Sequence, residues 1–187
     1  MSERFHSADF EAQTPELWRF TQPLGAGFRC SRGEFVTFWR QGRVEREVRA
    51  SIAQAFVLAH NGKLAGYATL LADKLTVTSQ LLINESIQYQ TFPAAKIGLL
   101  AVDERAKGVG TRLVEWAIEY AAFELAPRVG LRFVTVDALF DPDTDYDSSP
   151  FYVKRGFVFA SPEEERPPGD GFRTMYFDLK PLVDVAE

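Results

Sequence analysis

The run Lys96-Ile-Gly-Leu-Leu-Ala-Val-Asp-Glu-Arg-Ala-Lys-Gly-Val-Gly-Thr-Arg-Leu-Val114 reads as a buried strand, a short glycine loop and the start of a helix. Gly108 and Gly110 let the main chain approach a ligand closely, and the first N–H groups of the helix point at that ligand with the positive end of the helix dipole behind them. The chemistry on offer is the binding of an anion, and a phosphate group suits it best. Two standard phosphate motifs are excluded. A P-loop needs Gly-x-x-x-x-Gly-Lys-Ser/Thr, and no such Gly-Lys pair follows Gly108. A dinucleotide fingerprint needs a third glycine where Leu113 stands.

What remains is Arg105-x-x-Gly108-x-Gly110 directly after the strand ending Leu100-Ala101-Val102, which resembles the pyrophosphate loop of the GNAT acetyltransferases. The block Ser149-Pro-Phe-Tyr152-Val-Lys-Arg-Gly156-Phe157 lies about where that family carries its Phe-Tyr-x-x-x-Gly-Phe block. The resemblance implies an acetyl-CoA-dependent N-acetyltransferase. By it, the backbone of Leu100, Ala101 and Val102 would pair with the pantetheine arm, and the amides from Arg105 through Lys107, Gly108, Val109, Gly110 and Thr111 to Arg112 would hold the diphosphate. Arg105 or Lys107 would add charge. The loop is shorter than in typical members, so either of these two cations could take the leading position. Tyr152 matches the tyrosine that protonates the departing coenzyme A thiolate in many members. A phenol of ordinary pKa about 10 stays protonated at neutral pH and can still donate to that anion.

No single base is marked. Glu85, Asp103 and Asp137 are candidate carboxylates near the expected cleft, Asp103 reads as a loop cap, and many family members pass the amine proton to water. Asp141-Pro-Asp143-Thr-Asp145-Tyr-Asp147 alternates carboxylates as a calcium loop does. Tyr146 replaces the required glycine, however, and Tyr152 stands where the closing glutamate belongs, so no metal is expected. A solvated acidic loop that favours a cationic amine fits better.

The elements that must position these residues follow from periodicity. Residues 1–27 mix aromatics with Pro15, Pro23, Gly25 and Gly27 and show no sustained period, an extension leading into one domain over 28–187. Phe35, Phe38, Trp39, Val44 and Val48 suggest one or two helices broken near Gly42. Ala53 to Ala59 and Leu64 to Leu71 form an antiparallel hairpin about Asn61-Gly62, a pair favoured in type I′ turns. A strand or short helix near Leu75 to Ile83 and a loop through Phe92-Pro93 precede the glycine-loop strand. Val114, Ala117, Ile118, Ala121, Ala122 and Leu125 then recur at helical spacing up to an expected stop at Pro127. Leu131 to Ala138 reads as a strand covered on both faces, Pro150 to Arg155 as a short helix ended by Gly156, Phe157 to Ala160 as a strand, and Met175, Phe177 and Leu179 as the inward residues of a last strand. This order gives an α/β fold, a central mixed sheet with helices on both faces, and it is similar to the GNAT fold from roughly residue 28 to 180.

Composition sets the outer bounds. With 187 residues, 46% hydrophobic and 25% charged, the chain suits a single folded domain. No apolar run is long enough for a membrane span, the start Met-Ser-Glu-Arg-Phe-His lacks signal-peptide character, and one cysteine, Cys30, cannot make an internal disulfide. These features fit the cytoplasm. With His6 and His60 as its only imidazole partners, Cys30 reads as packing rather than as a nucleophile.

Three functions are compatible with this reading. The leading one is acetyl transfer to a small-molecule, peptide or protein amine. Phe28-Arg-Cys30, Phe35, Phe38, Gly66-Tyr67-Ala-Thr-Leu70, the segment ending Asp103 and the strand end at Asp137 also look like the toxin-antitoxin branch of the family, which acetylates aminoacyl-tRNA. A net charge of −5, and a stripe of Arg40, Arg43, Arg46 and Arg49 interrupted by Glu45 and Glu47, predict weak or no tRNA binding. The third function is a non-catalytic domain that binds coenzyme A. A homodimer is compatible with each.

Overall fold

Asn61 and Gly62 both take left-handed backbone, with φ of 50° and 70°, and the turn they make joins β2, Gln54–His60, to β3, Lys63–Thr76. This is the expected type I′ hairpin. The computed structural model describes residues 5, 10, 13–21, 23–76, 85–86, 89–167 and 171–184. It forms two units, Met1–Leu71 with Ile97–Ala117, and Ala72–Lys96 with Ile118–Glu187. β3 and β4, Thr91–Val102, run through both, and the sheet is mixed.

In the first unit the strand order is β1-β2-β3-β4, with β1 a two-residue edge strand, Glu16–Leu17, antiparallel to β2. Alternation along β2 sends Ala55 and Val57 to one face and Phe56 and Leu58 to the other. On the first face lie α1, Gly33–Arg40, and α2, Arg43–Arg49, separated at Gly42, whose φ is 70°. Trp39 and Val44 join Trp18, Phe28, Tyr67 and Ala101 in one apolar cluster there, with Cys30 packed against it as expected. The opposite face takes α3, Val109–Tyr120, whose Val109 and Leu113 pack on Leu58, Ala65 and Ala68. Trp116 lies against Phe56 with ring centroids 4.5 Å apart.

The β2–β3 ladder shifts register between Leu58 and Ala59, which leaves Ala65 unpaired as a bulge between Leu64 and Gly66. Two consequences follow. The Ala65 carbonyl turns away from the ladder and accepts the Asp103 amide at 2.8 Å, and Gly66 comes to lie directly beneath α3. A Cβ on Gly66 would stand 2.7 Å from Val109 Cγ1 and 3.0 Å from the Ala101 carbonyl oxygen.

In the second unit the order is β3-β4-β5-β8-β7, where β5 is Phe133–Asp141, β7 is Val158–Phe159 and β8 is Gly171–Asp178; β6, Tyr146–Asp147, pairs with β5. Between β6 and β7 lies α5, Ser149–Val153, and Gly156 follows at φ 85° as the expected stop. Three expectations change. The loop foreseen through Phe92-Pro93 is strand, because Phe92 and Ala94 are buried against Leu75 and Phe133 while the Pro93 carbonyl accepts the Arg132 amide. The helix foreseen to stop at Pro127 continues as a π-helical turn, Ala121–Leu125, and as α4, Ala126–Val129, until Gly130 at φ 67°. Proline sits in the first turn of α4, where a missing N–H breaks no helical bond. A further short helix, α6, Lys180–Val183, closes the chain after β8. The segment expected near Leu75 to Ile83 is strand through Thr76, and residues 77–84 lie outside the described residues.

Gly66→Ala tests how α3 is seated. Its methyl group must displace Val109 or the Ala101 carbonyl, so urea unfolding should report a loss of about 1–3 kcal/mol, whereas a neutral result would mean that α3 does not sit where described.

Candidate functional site

Asp103 ends β4 and begins the glycine loop, and although its side chain is buried, four donors satisfy it. The Arg29 amide reaches Oδ2 at 2.9 Å, the Arg105 amide reaches Oδ1 at 3.0 Å, and the Arg105 guanidinium adds bonds of 2.7 Å to each carboxylate oxygen. Burial by itself pushes this carboxyl up, but the Arg105 guanidinium and the two amides outweigh it, so the group lies below the usual carboxylate range. The Glu104 amide donates to the Arg29 carbonyl at 2.8 Å, and Arg105 Nη2 donates to the Gly27 carbonyl at 2.9 Å. One carboxylate thus fastens the loop to the segment that precedes α1.

Beyond Asp103 the loop turns tightly. The Ala106 amide donates to the Asp103 carbonyl at 2.8 Å, Ala106 is buried, and Gly108 takes φ 87°, a conformation that favours glycine. Helix α3 starts at Val109, so the amides of its first turn look toward the loop mouth. Lys107 and Gly108 are exposed and Gly110, Thr111 and Arg112 are half-buried, while Val109 is buried and anchors the turn. Arg112 Nε donates to the Gln13 carbonyl at 3.1 Å. Leu100 and Val102 are half-buried and Ala101 is buried. The structure therefore brings together every residue expected to hold a diphosphate. It also separates the two cations in role: Arg105 is engaged with Asp103 and Gly27, and Lys107 projects into solvent.

Tyr152 belongs to the second unit. Its ring is buried on α5, edge-on to Phe151 at 5.1 Å and to Phe157 at 5.5 Å. Burial pushes its phenol well above the ordinary value, with nearby Tyr146 and Asp137 acting the same way and Arg155 opposing. Such a group stays protonated across the physiological range, so its hydroxyl keeps a proton to donate.

The candidate bases are all engaged. Glu85 pairs with Arg132 at 2.8 Å and with Lys180 at 3.7 Å, and its carboxyl is held low chiefly by the Arg132 hydrogen bond. Asp137 pairs with Lys96 and accepts from Thr174 Oγ1 at 3.4 Å. In the acidic loop, Asp141 accepts from the Asp143 amide and the Thr144 hydroxyl, while Asp147 pairs with the buried Arg173 at 2.9 Å. These bonds stabilise turns. Among the described residues no group of three His, Cys, Asp or Glu side chains is placed to hold a metal.

The arginine stripe is broken up. Arg43 pairs with Glu47 and Arg49 with Glu45, Arg46 donates to the Gln41 carbonyl, and Arg40 donates to the Phe28 carbonyl. Sequence reasoning missed the roles of Gly27, Arg29 and the Ala65 bulge, which are contacts of main-chain atoms and leave no trace in residue type. The pairing of Lys96 with Asp137 and the burial of Arg173 were missed as well.

Comparison with known proteins agrees with this geometry. Residues 26–157 match the acetyltransferase (GNAT) family. No curated protein sequence matches the chain. Among solved structures, AtaT complexed with acetyl-methionyl-tRNAfMet superposes with a TM-score of 0.75 at 21% identity, over 93% of this chain and 99% of that one. A tyrosine-to-phenylalanine mutant of KacT gives 0.67 at 21% identity over 85% and 89%. A tyrosine-to-phenylalanine mutant of the AtaT toxin, bound to the C-terminus of the antitoxin AtaR and acetyl-CoA, gives 0.69 at 21% identity over 92% and 96%. At this identity the likeness establishes the fold. No helix among the described residues is long and apolar enough to cross a membrane.

The Asp103 node makes a pH-resolved prediction. Its lowered carboxyl contributes stability that is fully present above the unfolded value near pH 4 and is lost as pH falls through the depressed folded value. Asp103→Asn should therefore cost about 2 kcal/mol of unfolding free energy at pH 7, with the gap from wild type closing as denaturation is repeated at pH 4 and below. A gap independent of pH would rule out the charge as its source.

Proposed function

We infer that this chain, which belongs to the acetyltransferase (GNAT) family, transfers an acetyl group from acetyl-CoA to a primary amine by direct attack within a ternary complex. The observation that carries this reading is the junction of β4, Gly108 and α3. A strand whose last residues Leu100 and Val102 are half-exposed leads into a loop with left-handed glycine backbone, braced by Asp103, and then into a helix N-terminus. Such a junction supports an extended thioester arm beside Leu100, Ala101 and Val102, with its diphosphate at the mouth of the loop by Lys107, Gly108 and Gly110, since the amides of Arg105, Ala106, Val109 and Arg112 are bonded within the protein.

In the reaction the amine nitrogen attacks the thioester carbonyl carbon, the C–S bond breaks, and the departing sulfur takes the Tyr152 hydroxyl proton. Solvent returns a proton to the phenolate and receives the one lost by the amine. Main-chain amides near Val102 stabilise the oxyanion. The engagement of Glu85, Asp103 and Asp137 in ion pairs supports a mechanism without a dedicated carboxylate base. Lys107, exposed beside Gly108, supplies the charge next to the diphosphate, while Arg105 shapes the loop. A cytoplasmic location is part of this reading.

The leading acceptor class is a small-molecule, peptide or protein amine. A second class, the α-amine of an aminoacyl-tRNA, is favoured by one observation, the whole-length superposition on AtaT complexed with acetyl-methionyl-tRNAfMet. Against it stands a net charge of −5 and the internal pairing of Arg43 and Arg49.

A screen of polyamines, amino acids, peptides and charged tRNA, read by thiol release from acetyl-CoA, identifies the acceptor class. Tyr152→Phe should then lower kcat roughly 100-fold or more at unchanged acetyl-CoA affinity by calorimetry. Undiminished turnover would remove the proposed acid. Absence of any calorimetric signal with acetyl-CoA would remove the enzymatic reading itself.

A further inference from the structure

Phe10 lies in a segment without periodicity, yet it is 2% exposed. It packs in one cluster with Ala106 of the loop and with Val109 and Leu113 of α3, and its ring is edge-on to His60 at 6.0 Å. Two neighbours extend the contact. Phe5 lies 5.8 Å from the Phe10 ring and 5.5 Å beneath the Arg105 guanidinium. On the other side, the Gln13 amide closes a turn onto the Phe10 carbonyl at 3.1 Å, and the Gln13 carbonyl accepts Arg112 Nε. Three described positions of the N-terminal segment therefore touch Arg105, the loop floor and Arg112. These contacts span both ends of the run from Arg105 to Arg112.

We propose that the N-terminal segment is a positioning element of the acetyl-CoA site, with Phe10 as its anchor. This rests on the functional reading above and deepens it. An anion cradle made of main-chain amides binds through the direction of those amides, so its affinity depends on how far they are oriented before the ligand arrives. Here Ala106 and Val109 would present apolar surface to solvent if Phe10 were absent. Gln13 accepts from the Arg112 guanidinium, and Phe5 covers the Arg105 guanidinium that Asp103 and Gly27 engage. Its described residues Phe5, Phe10 and Gln13 touch the loop residues Ala106, Arg105 and Arg112, and Phe10 itself carries no group that can react. Phe10 is accordingly a positioning residue rather than a catalytic one.

The full-length protein carrying Phe10→Ala, Phe10→Leu or Phe5→Ala tests this. Acetyl-CoA affinity by calorimetry should weaken roughly tenfold in Phe10→Ala and by a smaller factor in Phe5→Ala, and recover in Phe10→Leu. The KM for acetyl-CoA should rise with it, while kcat at saturating cofactor changes less than about twofold. Amide hydrogen exchange over residues 105–112 should quicken in Phe10→Ala and slow again when acetyl-CoA is added. A folded Phe10→Ala protein with a lowered melting temperature and wild-type acetyl-CoA affinity would overturn the proposal and leave the enzymatic reading intact. Should Phe10→Ala fail to fold, wild-type affinity in Phe5→Ala, whose ring is only half-buried, would overturn it instead. Wild-type protein that binds no acetyl-CoA would sink the functional reading and this proposal together.

Discussion

The buried carboxylate of Asp103 is the constraint on which the first unit depends. A charge taken out of water is tolerated only when it is paired and its lone pairs are filled. Arg105 supplies the pairing, and the amides of Arg29 and Arg105 fill what remains. Each partner belongs to a segment that has to be somewhere definite. The Arg29 amide fixes the approach to α1, the Arg105 amide fixes the first turn of the loop, and the Asp103 amide itself draws on the carbonyl freed by the Ala65 bulge. The position of α3 is then set by Gly66, since only a residue without a side chain lets Val109 approach so near the sheet. A charge pair at a loop is often read as ligand binding; here the same two residues hold the main chain that would do the binding.

This explains why the loop can be short. A longer loop could present a cation to the diphosphate while another part of it kept the shape. In the run from Asp103 to Gly108 there is room for one turn, and Arg105 is committed to it through Asp103 and Gly27. Lys107 is left exposed at the mouth of the loop, beside the helix start. The division of labour between Arg105 and Lys107 follows from loop length and not from any difference in their charge.

Much of the fold was legible in the sequence because it rests on local signals. Asn61-Gly62 permits a type I′ turn and few alternatives, Gly42 and Gly156 stop helices where left-handed backbone is needed, and the period of Val114 to Leu125 can only be a helix. The failures are equally physical. Pro127 terminates a helix only if its nitrogen faces a carbonyl that needs a donor, and the π-helical turn before it removes that need. Pro93 breaks a strand only where its N–H is wanted for the ladder. Arg173 was readable in principle, since it shares the parity of Met175, Phe177 and Leu179 and must point inward with them. Its charge is met by Asp147, by Ser149 Oγ at 2.9 Å and by the carbonyls of Glu164 and Glu165.

The site was legible only as far as residue type carries it. Gly108 announces left-handed backbone, because no other residue adopts it so readily. What orients the cradle is different in kind. Ala65 acts through a carbonyl, Arg29 through an amide, Gly27 and Gln13 through carbonyls, and any side chain could stand at most of these positions without altering the contact. Phe10 packs through its ring against Ala106, Val109, Phe5 and His60, and nothing in the sequence around it marks that contact. Supporting contacts of this kind are specified by where the chain passes, which is a property of the whole fold. Residue type therefore marks the glycine loop, while several of the contacts that hold it come from segments far from it in sequence.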